Sequence, residues 1–326
     1  MKQFSDLKNK RECRYYKYLR PLRSTVRDEQ TSVDPALLTR GMGRSVHHGI
    51  TNNVMNKLSI DKRKLVLSQL VEGASIRSIE RITGINRNTI MSLLVASGEK
   101  ARMVLDEQMR HIESKRIQVD EIWCYCGKKA RNCTPEEKEI GRTGDQWVFV
   151  AIDADTKLVP IYLVGKRTDA DTQEFIRGLS ERVTSEHLQV TSDGLIQYVN
   201  AMYYGFGDRA DYAQIIKNYG QELKEERRYS PAKLIGITIK PIIGEPDREH
   251  ISTSYIERQN LTMRMSMRRF TRLTNGFSKK LENLQAAVAL HFYHYNFLRV
   301  HRSLGCTPAV AAGITPGTWG WDAILR

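Results

Sequence analysis

The hydrophobic pattern of this chain changes its period at residue 117, and that change constrains the fold more than any other feature. Between residues 60 and 101 the apolar residues recur at helical spacing, whereas the runs at 117–123 and 146–167 are β-rich, with a hairpin turn at 153–157. The predicted order is strand, strand, strand, helix, strand and then helices. This order indicates a mixed α/β domain with an antiparallel first half, preceded by an all-helical segment.

Three helices are predicted between residues 60 and 101. Gly73 ends the first, Ser75 begins the second, and Gly84 ends the second before Asn86 caps the third. Helices around a glycine-centred turn are typical of a helix-turn-helix, although a plain three-helix bundle has the same pattern. In a helix-turn-helix, the start of the last helix contacts base edges in the major groove. The candidate DNA-binding residues here are Arg77, Arg87, Asn88 and Thr89.

The charge is distributed unevenly along the chain. The net charge of +14 consists of +11 in residues 1–119, −5 in residues 120–257 and +8 in residues 258–326. Such an excess favours a polyanionic partner, either nucleic acid or an anionic membrane. No uncharged apolar run reaches the roughly 18 residues of a membrane-spanning helix, so nucleic acid is the favoured partner and no membrane is expected. An acidic centre fits a cation site, although chance clustering of surface charges produces the same totals.

Residues 1–59 are predicted to form a basic, partly irregular arm. Apolar periodicity is weak there, and Gly41 and Gly43 interrupt any helix. The first twenty residues have basic side chains but no apolar core, so no secretory signal is expected. Five cysteines in a chain of this length fit a reduced, cytoplasmic protein rather than a disulfide scaffold.

Three acidic residues stand out by their positions. Asp120 interrupts an apolar strand, Asp193 ends another apolar strand, and Glu257 lies in the first turn of a predicted helix. Two strand carboxylates and one helix carboxylate can converge on Mg²⁺ or Mn²⁺, which prefer oxygen ligands. Two such ions about 3.5–4 Å apart catalyse phosphoryl transfer. Taken singly, each acid also has a structural explanation, as a solvated edge residue, a turn residue and a helix cap respectively.

The predicted helix after Glu257 is strongly basic. Asn260 and Arg264 follow Glu257 by three and seven residues, so the three side chains share one helical face. Residues 258–281 contain no acidic residue, whereas a solvated surface helix more often mixes both signs. A basic helix beside acidic metal ligands suits a phosphodiester substrate. The candidate DNA-binding residues of this segment are Asn260, Arg264, Arg268 and Arg269.

These acidic residues and their neighbours resemble the Asp-Asp-Glu triad of bacterial insertion-sequence transposases. The matching words are VDEIW at 119–123, TSDG at 191–194 and YIERQN at 255–260. Arg264 matches the basic residue seven positions after the glutamate in many of these enzymes and in retroviral integrases. The segment 294–309 is similar to the end of such cores, and the subgroup most resembled is the insertion sequence one type.

The resemblance implies an RNase H-like core, a mixed five-stranded sheet flanked by helices, over residues 119–315. A helix-turn-helix domain at 60–101 and a helical linker at 102–118 precede it, and a tail at 316–326 follows. The resemblance also implies that Asp120, Asp193 and Glu257 are catalytic and hold two Mg²⁺ or Mn²⁺ ions. Water would then cleave DNA at the terminal inverted repeats and the freed 3′-hydroxyl would attack target DNA, in a homo-oligomeric synaptic complex.

The cysteines depart from the pattern of that subgroup, whose members often carry an N-terminal zinc ribbon. Here the N-terminal region contains Cys13 alone. Cys124, Cys126 and Cys133 lie just after Asp120 and lack a flanking fourth ligand, so structural zinc is not expected.

Three functions fit these observations. The leading one is an active DNA transposase, located in the cytoplasm and associated with the nucleoid when bound to DNA. The second is a catalytically silent, transposase-derived DNA-binding regulator, against which the complete triad argues. The third is a stand-alone metal-dependent nuclease, which would not need a sequence-reading helix-turn-helix.

Overall fold

A computed structural model describes residues 58–220 and 234–326 of the chain. All but the last two residues of the predicted arm, and the charged stretch at 221–228, lie outside the described residues. The strands are β1 (Arg116–Cys126), β2 (Gly144–Asp153), β3 (Tyr162–Gly165), β4 (Leu188–Ser192), β5 (Ala210–Tyr219) and β6 (Leu234–Ile243). The α-helices are α1 (Ile60–Val71), α2 (Ile76–Thr83), α3 (Arg87–Gln108), α4 (Pro135–Ile140), α5 (Asp169–Arg182), α6 (Gln197–Phe206), α7 (Ser254–Ser266), α8 (Leu281–Tyr293), α9 (Pro308–Ala311) and α10 (Asp322–Leu325).

The described strands form one mixed sheet in the order β3-β2-β1-β4-β5-β6. Strands β1, β2 and β3 pair antiparallel, which confirms the antiparallel first half. Strand β4 lies parallel to both β1 and β5, and β6 pairs antiparallel with β5. The described sheet has six strands, whereas the resemblance implies five, and the sequence pattern does not predict β5. Gln214, Lys217 and Asn218 interrupt its apolar run and obscure its β character.

The turn after β2 is the predicted hairpin turn at residues 153–157. Asp153 is buried, and its Oδ1 accepts hydrogen bonds from the backbone N–H groups of Asp155 at 2.8 Å and Thr156 at 2.7 Å. The hydroxyl of Ser114 donates to the second carboxylate oxygen. The Asp153 carboxylate is therefore satisfied by the turn and its surroundings.

The capping residues predicted for α2 and α3 are found at the ends of these helices. Ser75 caps α2 by accepting a hydrogen bond from the Ser78 N–H at 3.0 Å, and Asn86 caps α3 through the Asn88 N–H at 2.9 Å. Gly84 ends α2 with a φ of 68°, a conformation that glycine adopts without a steric cost. The helices α1, α2 and α3 share a small apolar core formed by Val66, Ile79, Ile85 and Ile90.

Helix α3 continues to Gln108, beyond the predicted end of the helix-turn-helix at residue 101, and it packs against α8. Gly98 of α3 lies so close to Ala286 of α8 that a Cβ at Gly98 would be 2.6 Å from the Ala286 Cα. The described helices α1–α3 and the sheet belong to one compact unit. The domain boundaries at residues 101, 118 and 315 stay predictions.

Helices cover both faces of the sheet, as alternation along β2 requires. Phe149 and Ala151 pack with the buried side chains of α5 and α6 on one face. Val148 and Val150 pack with α3, α7 and α8 on the other. A six-stranded mixed sheet flanked by helices is compatible with an RNase H-like fold. Among the described residues, no helix is both long enough and apolar enough to cross a membrane.

Candidate active site

The site lies where the parallel strands β1 and β4 part. Val119 of β1 is the partner of Ser192, the last residue of β4. Asp120 and Asp193 each follow this pair by one residue. The register therefore brings two carboxylates together that are 73 positions apart in the chain. The proximity of these two residues follows from the pairing of two parallel strands.

Glu121 is the residue that the sequence analysis missed. One ligand oxygen from each of Asp120, Glu121 and Asp193 lies within 4.8 Å of the others. Adjacent strand residues point to opposite faces, but β4 has ended at this position, so both acids reach Asp193. Glu121 is buried. Its carboxylate forms an ion pair with the Arg167 guanidinium at 2.6 Å and accepts a hydrogen bond from the Tyr198 hydroxyl at 3.1 Å. A second acid inside an apolar strand was the signal that could have identified it.

Two of the clustered carboxyl groups, Asp120 and Glu121, have raised pKa values. Burial, followed by the charge of Asp193, raises the pKa of Asp120 to about 7. Burial, again followed by the charge of Asp193, raises the pKa of Glu121 to about 8. A divalent cation would offset the repulsion among the carboxylates, which adds to the effect of burial in both shifts. The donors are all carboxylate oxygens, which suit Mg²⁺ or Mn²⁺ better than the softer transition metals.

Glu257 lies at the rim of this cluster rather than within it. It is on the first turn of α7, where its Oε1 accepts a hydrogen bond from the Thr253 hydroxyl at 2.6 Å and pairs with the Lys217 ammonium. Glu257 lines one cleft with Asp120 and a neighbouring one with Asp193. Its charge also contributes to the raised pKa of Asp120, after burial and the charge of Asp193.

Asn260 holds Asp120 in place. Its side-chain Nδ2 donates a hydrogen bond of 2.8 Å to Asp120 Oδ2, while Asp120 Oδ1 accepts one from the Glu121 N–H at 2.9 Å. Asn260 is 9 % exposed, and its Oδ1 has no hydrogen-bond partner among the described residues. The proposed DNA-contacting role of Asn260 stays a prediction, and its observed contact is with a candidate metal ligand.

The arginines of this region have different surroundings. Arg264 and Arg272 line the cleft with Asp120 and Glu257, and burial followed by the charge of Arg272 lowers the pKa of Arg264. Arg268 is exposed. Arg269 donates to the Ser278 hydroxyl at 2.9 Å, and burial lowers its pKa to about 10. Arg264 and Arg272 therefore offer paired positive charge to a phosphate in the cleft.

The candidate base-reading residues lie on the surface of the three-helix segment. Arg77, Arg87, Asn88 and Thr89 are all exposed. The Arg87 backbone N–H donates to Glu80 Oε1 at 2.9 Å, which fixes the start of α3 relative to α2. Their contacts with DNA bases stay predictions.

The cysteines after Asp120 are buried free thiols. Cys124, Cys126 and Cys133 all lie below the surface. Burial, followed by the effect of the nearby Cys126 thiol, raises the pKa of Cys124 to about 12. The Cys124 thiol therefore stays protonated at neutral pH.

Comparison with known proteins leaves the family open. No family model matches the chain, and no curated protein matches it in sequence. The structure is similar, with a TM-score of 0.36 and 11 % sequence identity, to a piggyBac transposase solved by cryo-electron microscopy as a synaptic complex with hairpin DNA. The match covers 71 % of this chain and 63 % of that one. A likeness of this size carries no argument about activity, so the function is argued from the site.

Proposed function

We propose that this chain is a metal-dependent DNA transposase of the insertion-sequence type. The observation that supports the proposal is the convergence of Asp120, Glu121 and Asp193 beside a cleft that Arg264 and Arg272 line. Carboxylate oxygens that hold divalent cations next to paired arginines are the components that phosphodiester cleavage requires.

In this proposal Asp120 and Asp193 hold the metal, with Glu121 or Glu257 as the third carboxylate. When bound, the ions supply an activated attacking oxygen and stabilise the leaving oxygen. The Asn260 amide orients Asp120 through the 2.8 Å hydrogen bond that it donates to the Asp120 carboxylate. Arg264 and Arg272 would bind the non-bridging oxygens of the scissile phosphate and restrain its position. Cleavage by water and strand transfer by a 3′-hydroxyl use the same arrangement.

The partners follow from the same proposal. The helices α1–α3 would bind the terminal inverted repeats through Arg77, Arg87, Asn88 and Thr89, and the basic segment after Glu257 would bind DNA near the cut. Two ends must be held together for strand transfer, so we expect a homo-oligomer on DNA. We expect the protein to act in the cytoplasm, at the nucleoid.

One observation supports a second candidate, a catalytically silent DNA-binding regulator. The Glu257 carboxylate pairs with Lys217 and accepts a hydrogen bond from the Thr253 hydroxyl, and it does not belong to the group of three clustered acids. A regulator would retain DNA binding by α1–α3 and would lack metal-dependent cleavage.

The decisive experiment incubates the protein with labelled duplexes from the sequences that flank its gene, with and without Mg²⁺ or Mn²⁺. We expect metal-dependent nicking and joining that Asp120→Asn and Asp193→Asn abolish while gel-shift binding persists. Asp208→Asn, at an exposed carboxylate outside the site, is the matched control. Binding without cleavage in the wild type would support the regulator, and full activity of Asp120→Asn would exclude the proposed metal site.

A further inference from the structure

Leu273 is the most exposed apolar side chain among the described residues. It is 100 % exposed and has a φ of 58°, in the left-handed region that leucine rarely adopts. A γ-branched residue in this conformation strains the backbone, and glycine or asparagine would relieve that strain. Neither burial nor backbone geometry therefore explains a leucine at this position.

The loop that carries Leu273 is anchored on both sides. Before it, Phe270 is buried in the core, and after it Phe277 packs on Tyr125 with ring centroids 4.5 Å apart. Ser278 then pairs with Cys126, the last residue of β1, and the Ser278 carbonyl accepts a hydrogen bond of 2.8 Å from the N–H of the next residue, Gly127. Gly276 lies so close to the Arg268 carbonyl oxygen that a Cβ there would be 2.6 Å away. These contacts hold the loop against the body of the protein and project Leu273 from it.

The surroundings of Leu273 are cationic and adjoin the candidate active site. Arg272, the residue before it, lines the cleft with Asp120 and Glu257. Residues 258–281 contain seven basic residues and no acidic one. The residues that follow Leu273, Thr274 and Asn275, are polar, so Leu273 is a single apolar residue within a polar and basic stretch of sequence.

We propose that Leu273 is a wedge that inserts between base pairs of duplex DNA beside the cleft and unstacks them. The choice of DNA as partner rests on the proposed function and on the charge of the segment. Proteins that kink DNA commonly insert an apolar side chain between base steps while nearby cations bind the phosphates. Arg272 would bind the backbone, and Leu273 would widen the step next to the scissile phosphate.

The first test measures base unstacking without any cleavage. A duplex that contains 2-aminopurine brightens when the modified base unstacks, and EDTA prevents metal-dependent cutting. We expect the wild type to increase the fluorescence several-fold, and Leu273→Asn to bind the duplex in a gel shift but lose most of that increase. Asparagine tolerates a positive φ, so this variant keeps the fold. Met103→Gln, at another exposed apolar position, is the matched control.

The second test separates this proposal from the proposed function. In Mg²⁺, Leu273→Asn is expected to cut paired duplex more slowly than the wild type and to recover on a duplex with a mismatch, because the mismatched step is already unstacked. Leu273→Met, which retains an apolar side chain, is expected to keep the fluorescence increase. If the wild type cuts no DNA, the proposed function fails while the fluorescence result still decides the wedge. An unchanged fluorescence increase in Leu273→Asn would overturn the wedge proposal.

Discussion

Asn260 Nδ2 donates a hydrogen bond of 2.8 Å to Asp120 Oδ2 and thereby joins α7 to β1 at the carboxylate cluster. The bond crosses 140 positions of sequence. It fixes one oxygen of Asp120, and the Glu121 backbone N–H fixes the other. This hydrogen bond fixes the helix that carries Glu257 in position relative to the strand that carries Asp120.

Asn260→Ala should therefore lower metal-dependent cleavage by roughly 10–100-fold, because outer hydrogen bonds to a metal ligand have effects of this size. The measurement is the cleavage rate as a function of Mn²⁺ concentration, and we expect the midpoint to rise. Thr262→Ala, two residues further along α7, removes only a hydrogen bond to the Arg258 carbonyl and serves as control. A rate for Asn260→Ala equal to that of the control would contradict the positioning role.

Glu121→Gln tests which glutamate completes the metal site. The Glu121 carboxylate lies within the cluster, whereas Glu257 is at the rim, so we expect Glu121→Gln to weaken Mn²⁺ binding more than Glu257→Gln does. Calorimetric titration with Mn²⁺ in the absence of DNA provides the comparison. The reverse order would show that the Glu257 side chain leaves Lys217 and joins Asp120 and Asp193 when metal binds.

The sequence allowed the helices and two of the clustered acids to be predicted for local reasons. Ser75 and Asn86 are capping residues, and Asp120 and Asp193 interrupt or end apolar strands. Glu121 also interrupts the apolar strand, but strand alternation places it on the face opposite Asp120, so the strand pattern alone does not place it in the same cluster. Only the end of β4 at Ser192 opens the edge at which both acids reach Asp193.

Other features depend on contacts between distant parts of the chain. The role of Asn260 depends on how close α7 lies to β1, and this distance cannot be predicted from the sequence of α7. Strand β5 was missed because its polar residues weaken the strand pattern in the sequence. Its place in the sheet is set by pairing with β4 and β6, which only the folded protein brings together.

Arg87→Ala should weaken the recognition of specific DNA by about 1–3 kcal/mol, the value of one bidentate contact with a base. Arg87 is exposed, and the contact that fixes α3 uses its backbone N–H, so the variant should fold normally. Competition gel shifts with specific and unrelated duplexes would measure the change. Lys115→Ala, at an exposed position outside α1–α3, is the control, and an unchanged specificity ratio for Arg87→Ala would exclude this docking.

Gly98→Ala should destabilise the protein, although alanine is the better helix former by about 1 kcal/mol. The new Cβ would lie 2.6 Å from the Cα, the Cβ and the carbonyl oxygen of Ala286, and two of these are backbone atoms that cannot rotate away. Overpacking of this kind costs about 1–3 kcal/mol, so the clash should exceed the helical gain. Urea unfolding provides the free energies. Gly317→Ala, where a Cβ meets no atom within 4 Å, is the control, and an increased stability of Gly98→Ala would contradict the close packing of α3 on α8.

His291 should make the free energy of unfolding fall as the solution is acidified. It is 1 % exposed on α8, and burial, followed by the charges of His294 and Arg299, lowers its pKa from 6.5 to about 3. The unfolded chain takes up a proton below about pH 6.5, whereas the folded chain does not, so the folded state loses up to about 1.4 kcal/mol per pH unit between these two values. Burial also lowers the pKa of His294, to about 4, and this residue acts in the same direction.

His291→Gln removes the titrating ring and should therefore reduce the slope of stability against pH between about pH 6 and pH 4. Urea unfolding at several pH values gives both slopes, and the difference between wild type and variant isolates His291 from the carboxylates that titrate in the same range. His187→Gln, at an exposed position, is the matched control. Equal slopes for the wild type and His291→Gln would mean that His291 becomes protonated in the folded protein. Protonation there would require a hydrogen-bond acceptor or a water at Nδ1, because this atom has no hydrogen-bond partner among the described residues.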